Sequence, residues 1–140
     1  MNEPKAISTP LKYSLTIKNK FHRLPFVKRT KQRLQCWVVP ATGDYVGGYQ
    51  IGEAMAHAYI KYLQSINGNC DEVGYLLEIL GDIQLRMLEC GYANWASICV
   101  LEWPYELSSL HGQRTGFVRT VEQWLIYGAK TYEPVLDLLT

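Results

Sequence analysis

Leu34-Gln35-Cys36-Trp37-Val38-Val39, then Pro40-Ala41-Thr42-Gly43-Asp44-Tyr45-Val46-Gly47-Gly48, then Tyr49-Gln50-Ile51-Gly52: over this stretch the chain passes from strand chemistry to helix chemistry. The first six residues combine aromatic and β-branched side chains, which suit a strand, and Pro40 stops them because it offers no N–H to a ladder. Residues 40–48 read as a glycine-rich loop. From Tyr49 the apolar period becomes helical. Ile51, Met55, Ala58, Tyr59, Tyr62, Leu63 and Ile66 share one arc, and Glu53, His57, Lys61 and Gln64 lie opposite. The pattern predicts a helix over 49–66, closed by Asn67-Gly68-Asn69.

Toward the N-terminus, residues 11–18 alternate strictly. Leu11, Tyr13, Leu15 and Ile17 face one way, and Lys12, Ser14, Thr16 and Lys18 the other, as in a half-buried strand. Asn19-Lys20 reads as a turn. Residues 21–27, interrupted by Pro25, are at best an edge strand, and residues 28–33 form a basic, exposed hexapeptide.

Toward the C-terminus, residues 71–90 carry the strongest helical period, with Val73, Leu76, Leu77, Leu80, Ile83, Met87, Leu88 and Cys90 on the apolar face. Asp71 suits the start of that helix and Gly91 a left-handed cap at its end. Asp82 and Arg86, four apart, are spaced to pair along the helix. Gly74 and Gly81 predict a notch where another backbone packs closely. Residues 95–103 are apolar on every face and read as a buried strand, or alternatively a buried helix. Residues 104–111 read as irregular or a short helical turn. A last helix is predicted over 113–129, with Phe117, Val118, Val121, Trp124 and Leu125 buried. No internal repeat stands out. These elements predict an α+β fold, a small N-terminal antiparallel sheet (11–18 with 34–39) packed on three main α-helices. The alternative is a mostly α fold with an N-terminal hairpin. One domain over 1–140 is expected, with 1–10 as a flexible tail, 11–39 as a basic β segment and 49–130 as a helical body.

The charge is distributed unevenly. Residues 1–33 hold nine of the fourteen Lys and Arg and a single acid, Glu3, for a formal +8. Residues 34–140 hold the other five bases and twelve acids, for −7. Such asymmetry points to an anionic partner. No apolar stretch reaches the ~20 residues of a membrane span, and the N-terminus lacks the apolar core of an export signal. The protein is therefore expected to be cytoplasmic. Cys36, Cys70, Cys90 and Cys99 form no C-x-x-C pair, so no metal site is expected, and reduced buried thiols are favoured over disulfides.

Lys12, Lys18, Lys20, Arg23, Lys28, Arg29, Lys31 and Arg33 make up the candidate anion-binding set, since Lys and Arg replace the counterions condensed on phosphates. Phe21, His22 and Phe26 could stack on bases, and Tyr45 and Tyr49 flank glycines as further surface contacts. The glycines before the first helix match neither phosphate-binding fingerprint, and they read instead as a tight connection needing positive φ. Glu53 and His57 supply two metal-capable groups with no third, and read as a solvated ladder. Cys36, beside Trp37 in an apolar segment, reads as an inert thiol. No catalytic set converges and no cofactor is expected. The expected function is non-enzymatic binding, in which the basic N-terminal face contacts nucleic acid or a nucleoprotein complex. The alternative is an adaptor or inhibitor that binds a protein through Glu78, Asp82 and Glu89, or through Tyr45 and Tyr49. A small enzyme would instead need a pocket holding His57 or His111 with a second titrating group. A homodimer stays open, with Ile60 and Ile126 as apolar residues on polar helix faces.

Overall fold

Asp44 begins the first helix four residues earlier than the apolar period predicts. Its carboxylate Oδ1 accepts the Gly47 N–H at 2.9 Å and its carbonyl accepts the Gly48 N–H at 2.8 Å, the geometry of an N-cap. Gly43, at φ 76°, makes the turn just before it, which glycine allows without steric cost. Gly47, Gly48 and Gly52 are therefore helical, and the predicted positive-φ connection narrows to Gly43 alone.

The computed structural model describes residues 21–66, 74–93 and 105–132. A 3-10 turn, Phe21–Arg23, is followed by β1 (Lys28–Arg29) and β2 (Leu34–Gln35), then by α1 (Tyr45–Ile66), α2 (Leu76–Ala93) and α3 (Tyr105–Ala129). The architecture is a small α+β fold, a two-stranded antiparallel sheet with three helices among the described residues. The predicted strand 11–18, the tail 1–10, the cap Asp71 and the segment 95–103 lie outside the described residues. The partner of β2 is β1, with Lys28 opposite Gln35 and Arg29 opposite Leu34.

α1 and α3 run parallel and meet backbone to backbone. A Cβ placed on Gly48 would strike the Ser109 carbonyl, and one on Gly52 would strike the Gln113 carbonyl and lie 2.8 Å from the Phe117 nitrogen. Reciprocally, a Cβ on Gly112 would strike the Tyr45 carbonyl, and one on Gly116 the Tyr49 carbonyl. Contact partners rise together along both helices, which fixes the parallel sense. Each helix offers a G-x-x-x-G face, so small residues four apart let the axes approach where any side chain would hold them off. The predicted notch is on the wrong helix. Nothing lies within 4 Å of a Cβ on Gly81, and Gly74 precedes α2 with only ordinary contacts to Tyr59 and Leu63. Gly91 is inside α2, which continues to Ala93, so it is no cap.

This close pair also explains why α3 begins at Tyr105 when the sequence predicts irregular chain to 111. Ser108, Ser109 and Gly112 are poor helix formers, and tertiary packing overrides their propensity. Of the predicted α3 stripe, Phe117 and Val121 are buried and Trp124 is half-buried, whereas Val118 and Leu125 are exposed.

The core is aromatic. Phe26 lies at the centre, with Trp37 at 5.2 Å, Phe117 at 6.1 Å and Tyr59 at 6.5 Å between ring centroids, and Phe21 joins it while stacking on Tyr75 at 4.1 Å. Phe21 and Phe26 are 1% and 0% exposed, so the expectation that they offer stacking surface is corrected. Residues 21–39 lay their apolar side chains across α1, α2 and α3, where burial contributes ~25 cal/mol per Å². Ile60 is likewise buried, and among the two isoleucines named as contact hints only Ile126 is exposed.

Of the predicted strand 34–39 only Leu34–Gln35 is strand. The Val38 N–H donates to the Phe26 carbonyl at 2.9 Å, and residues 36–42 are otherwise held largely by side chains of the helices. The Cys36 N–H donates to Asp82 Oδ2 at 2.7 Å, Arg86 donates to the carbonyls of Trp37 and Val39, Gln113 Nε2 donates to the Pro40 carbonyl at 2.9 Å, and Ser109 Oγ donates to the Thr42 carbonyl at 2.6 Å. Buried Gln113 also accepts the Trp37 indole N–H at 2.9 Å. Asp82 and Arg86 thus face residues 33–39, and the predicted pair between them is replaced by these longer-range bonds. Among the described residues no buried side-chain N or O lacks a partner, as the cost of an unsatisfied buried polar group requires.

Candidate functional site

The basic hexapeptide folds as the tip of the hairpin. Thr30 closes it. Its N–H donates to the Arg33 carbonyl at 3.0 Å, its hydroxyl donates to that same carbonyl at 2.7 Å, and it accepts the Arg33 N–H at 3.1 Å. The turn leaves Lys28, Arg29, Lys31 and Gln32 projecting into solvent, with Arg23 exposed nearby on the 3-10 turn. A cleft of about 440 Å³ opens beside the hairpin, lined by His22, Arg29, Thr30, Lys31, Gln32, Arg33, Leu34 and Tyr75. Among the described residues no carboxylate lines it. Tyr75, at φ 61°, holds a backbone conformation uncommon for a side-chain-bearing residue while its ring stacks on Phe21.

The eight predicted cations divide into three groups. Arg23, Lys28, Arg29 and Lys31 are exposed, and among the described residues no ion pair neutralises them. Arg33 is also exposed but pairs with Asp82 at 3.0 Å, so the molecule's own carboxylate answers part of its charge. Lys12, Lys18 and Lys20 lie outside the described residues. Tyr45 is exposed at the start of α1, 6.4 Å from the ring of Tyr49 and 5.4 Å from that of His111. Burial and the neighbouring Arg114 both lower the His111 pKa.

A second cleft, of about 570 Å³, was not anticipated. It lies between the parallel helices beyond their glycine contact. Tyr49, Glu53, His57 and Ile60 come from α1, and Arg119, Thr120, Gln123 and Trp124 from α3. It holds the combination expected of a small enzyme, His57 with a second titrating group, Glu53. No Ser, Cys or Lys nucleophile lines it, and no group of three or more metal-capable side chains occurs among the described residues. The i,i+4 pairs Glu53/His57 and Arg119/Gln123 are visible in the sequence. Their convergence depends on the parallel helix pair, which is not.

No protein-family model matches the chain, and neither a curated protein nor a solved structure matches it. Function therefore rests on the geometry alone.

The thiol of Cys36 behaves as the sequence predicts for an inert group. Burial first, then the carboxylates of Asp82 and Glu78, push its pKa from an ordinary 9.0 up to about 11, against an opposing effect of Arg33. Cys36 and Cys90 are both buried; Cys70 and Cys99 lie outside the described residues. Burial likewise raises Tyr59 from 10.0 to about 12, and its hydroxyl donates to the Gly74 carbonyl at 2.6 Å. Both folded-state values exceed the unfolded ones, so both groups contribute stability in full below pH 9 and lose it as the pH rises toward 12. Urea denaturation at pH 8, 9, 10 and 11 is expected to show stability falling over that window. In Cys36→Ala the fall is expected to be shallower by roughly 2 kcal/mol. A flat profile would show that neither proton is held.

Proposed function

We propose that the protein is a non-enzymatic binding protein whose basic N-terminal face contacts nucleic acid or a nucleoprotein complex. The supporting observation is the hairpin tip, where Lys28, Arg29 and Lys31 are exposed with Arg23 on the adjoining 3-10 turn, and where Arg29 and Lys31 line a cleft into which no carboxylate of the described residues falls. Such cations gain by replacing condensed counterions, whereas the same charges placed among carboxylates would be spent internally, as Arg33 is on Asp82. Exposed Gln32 adds an uncharged donor of the kind that contacts phosphate oxygens. A cytoplasmic location belongs to this proposal. Among the described residues no helix is long and apolar enough to cross a membrane.

Four cations meeting four phosphates give a log–log salt slope of about −3.6, so affinity falls on the order of a hundredfold between 50 and 200 mM salt. Fluorescence polarisation with labelled single-stranded and duplex DNA and RNA at both salt concentrations measures it. Arg29→Glu with Lys31→Glu is expected to abolish binding while the melting temperature stays near wild type, because both side chains are exposed. Absent binding, or binding indifferent to salt and to this double variant, would sink the proposal.

A second reading, an adaptor or inhibitor with a protein partner, is favoured by a different surface from Tyr45 and Tyr49. Exposed Leu125 and Tyr132 line an apolar cleft of about 340 Å³ at the end of α3 with Trp124, Gly128 and Ala129, and exposed apolar surface of this kind marks interaction sites.

A further inference from the structure

The cleft between α1 and α3 combines features that the basic hairpin lacks. Glu53 on one wall and Arg119 on the other bring opposite charges to a single concavity of about 570 Å³, well within the size range of small-molecule sites. They are not paired with each other. The guanidinium of Arg119 has its ion pair with Glu122 at 3.5 Å, where both side chains are more than half exposed, and such a surface pair holds weakly. Among the described residues the side chains of Glu53, His57, Thr120 and Gln123 make no hydrogen bond or ion pair within the protein. Half-buried Trp124 and the apolar Ile60 complete the lining.

Each feature selects for a ligand property. A carboxylate-bearing and a guanidinium-bearing residue lining one cleft suit a molecule that carries both a cation and an anion. A ligand with only an anion would be repelled by Glu53, and one with only a cation by Arg119. The indole of Trp124 favours a planar ring or a cation. Thr120, Gln123 and His57 can complete the hydrogen bonds of either ionic group. We propose that this cleft binds a free α-amino acid with an aromatic side chain. The ammonium lies at Glu53, the carboxylate is held by Arg119, and the ring packs against Trp124 and Ile60. This site is separate from the hairpin and does not depend on the nucleic-acid reading.

Three probes that differ only in charge test it: L-phenylalanine, phenethylamine without the carboxylate, and 3-phenylpropionate without the ammonium. Isothermal titration calorimetry on the full chain is expected to show saturable binding of phenylalanine, about tenfold or more tighter than either analogue, since each lost charge removes a charge-assisted contact. Glu53→Gln should weaken phenylalanine and phenethylamine about tenfold and leave 3-phenylpropionate no weaker. Arg119→Gln should weaken phenylalanine and 3-phenylpropionate and spare phenethylamine. Neither side chain has a packing role, so the melting temperature should hold in both variants. Quenching of Trp124 fluorescence by phenylalanine, absent in Trp124→Phe, places the ring. No saturable binding of phenylalanine, or equal affinity for all three probes, overturns the proposal, as does a pair of variants that fail to discriminate between the two analogues.

Discussion

Gly52→Ala is expected to destabilise the protein by about 3 kcal/mol or more, a fall in melting temperature on the order of 10 °C for a chain of this size. Intrinsic helix propensity argues the other way, because Ala is favoured over Gly by ~1 kcal/mol in a helix interior. Packing decides the sign. The new methyl would collide with the Gln113 carbonyl and crowd the Phe117 nitrogen at 2.8 Å. Both are helix backbone and cannot turn aside as a flexible side chain would. Relief requires α1 and α3 to separate, which would also pull Tyr45 and Tyr49 away from Gly112 and Gly116 along the same seam. Gly81→Ala is the matched comparison. Its methyl meets nothing within 4 Å, so propensity acts alone and the melting temperature is expected to rise. Differential scanning calorimetry of the two variants reads both effects. A Gly52→Ala protein that melts at or above wild type would show that the two helices do not meet backbone to backbone.

Gln113→Leu is expected to cost about 1–3 kcal/mol, for an unrelated reason. Gln113 is fully buried and both ends of its amide are used. Its Oε1 accepts the Trp37 indole N–H, and its Nε2 donates to the Pro40 carbonyl. Leu nearly preserves the volume, so no large cavity opens, but the buried Trp37 indole N–H loses its partner at ~1–3 kcal/mol, while the exposed Pro40 carbonyl keeps the Thr42 N–H at 2.9 Å. The Thr42 carbonyl keeps its bond from Ser109, and Cys36 keeps Asp82, so the segment should loosen around Trp37 and Pro40 and stay docked at both ends. Trp37 fluorescence should then become more accessible to acrylamide quenching than in wild type. Exposed Gln64→Leu, on α1, should change stability by no more than about 0.5 kcal/mol. If the two substitutions cost the same, the buried amide is not what fastens the segment.

Particular residues show how far the sequence could be read. The helical period of 51–66 places Tyr59 and Tyr62 in the core, and the period of 71–90 does the same for Ile83. In both helices the stripe is made of large side chains, whose burial is a one-dimensional signal. The start of α1 was misjudged because Gly47 and Gly48 read as breakers, whereas Asp44, three residues before Gly47, had the spacing of a cap. Phe21 and Phe26 sit among basic residues and Pro25 and so suggested surface, yet they fill the centre of the core. Asp82 and Arg86 were spaced to bond with each other and instead reach Cys36, Trp37 and Val39, at separations of more than forty residues. The G-x-x-x-G spacing at 48/52 and again at 112/116 was the available clue to the parallel pair, and with it to the cleft that holds Glu53 opposite Arg119.

The amino-acid sequence by itself determined the fold class, the three helices in outline, the inert character of Cys36 and the concentration of positive charge before residue 34. Each follows from local composition or from a period that one element carries alone. Only the tertiary structure decided that two glycine faces meet, that Arg33 is answered by Asp82 while no carboxylate of the described residues answers Lys28, Arg29 or Lys31, and that Glu53 and Arg119 line one cleft. Those are facts about distance between residues far apart in the chain. A glycine written in the sequence can be a turn, a weak point or the place where two backbones touch, and its neighbours in space decide which.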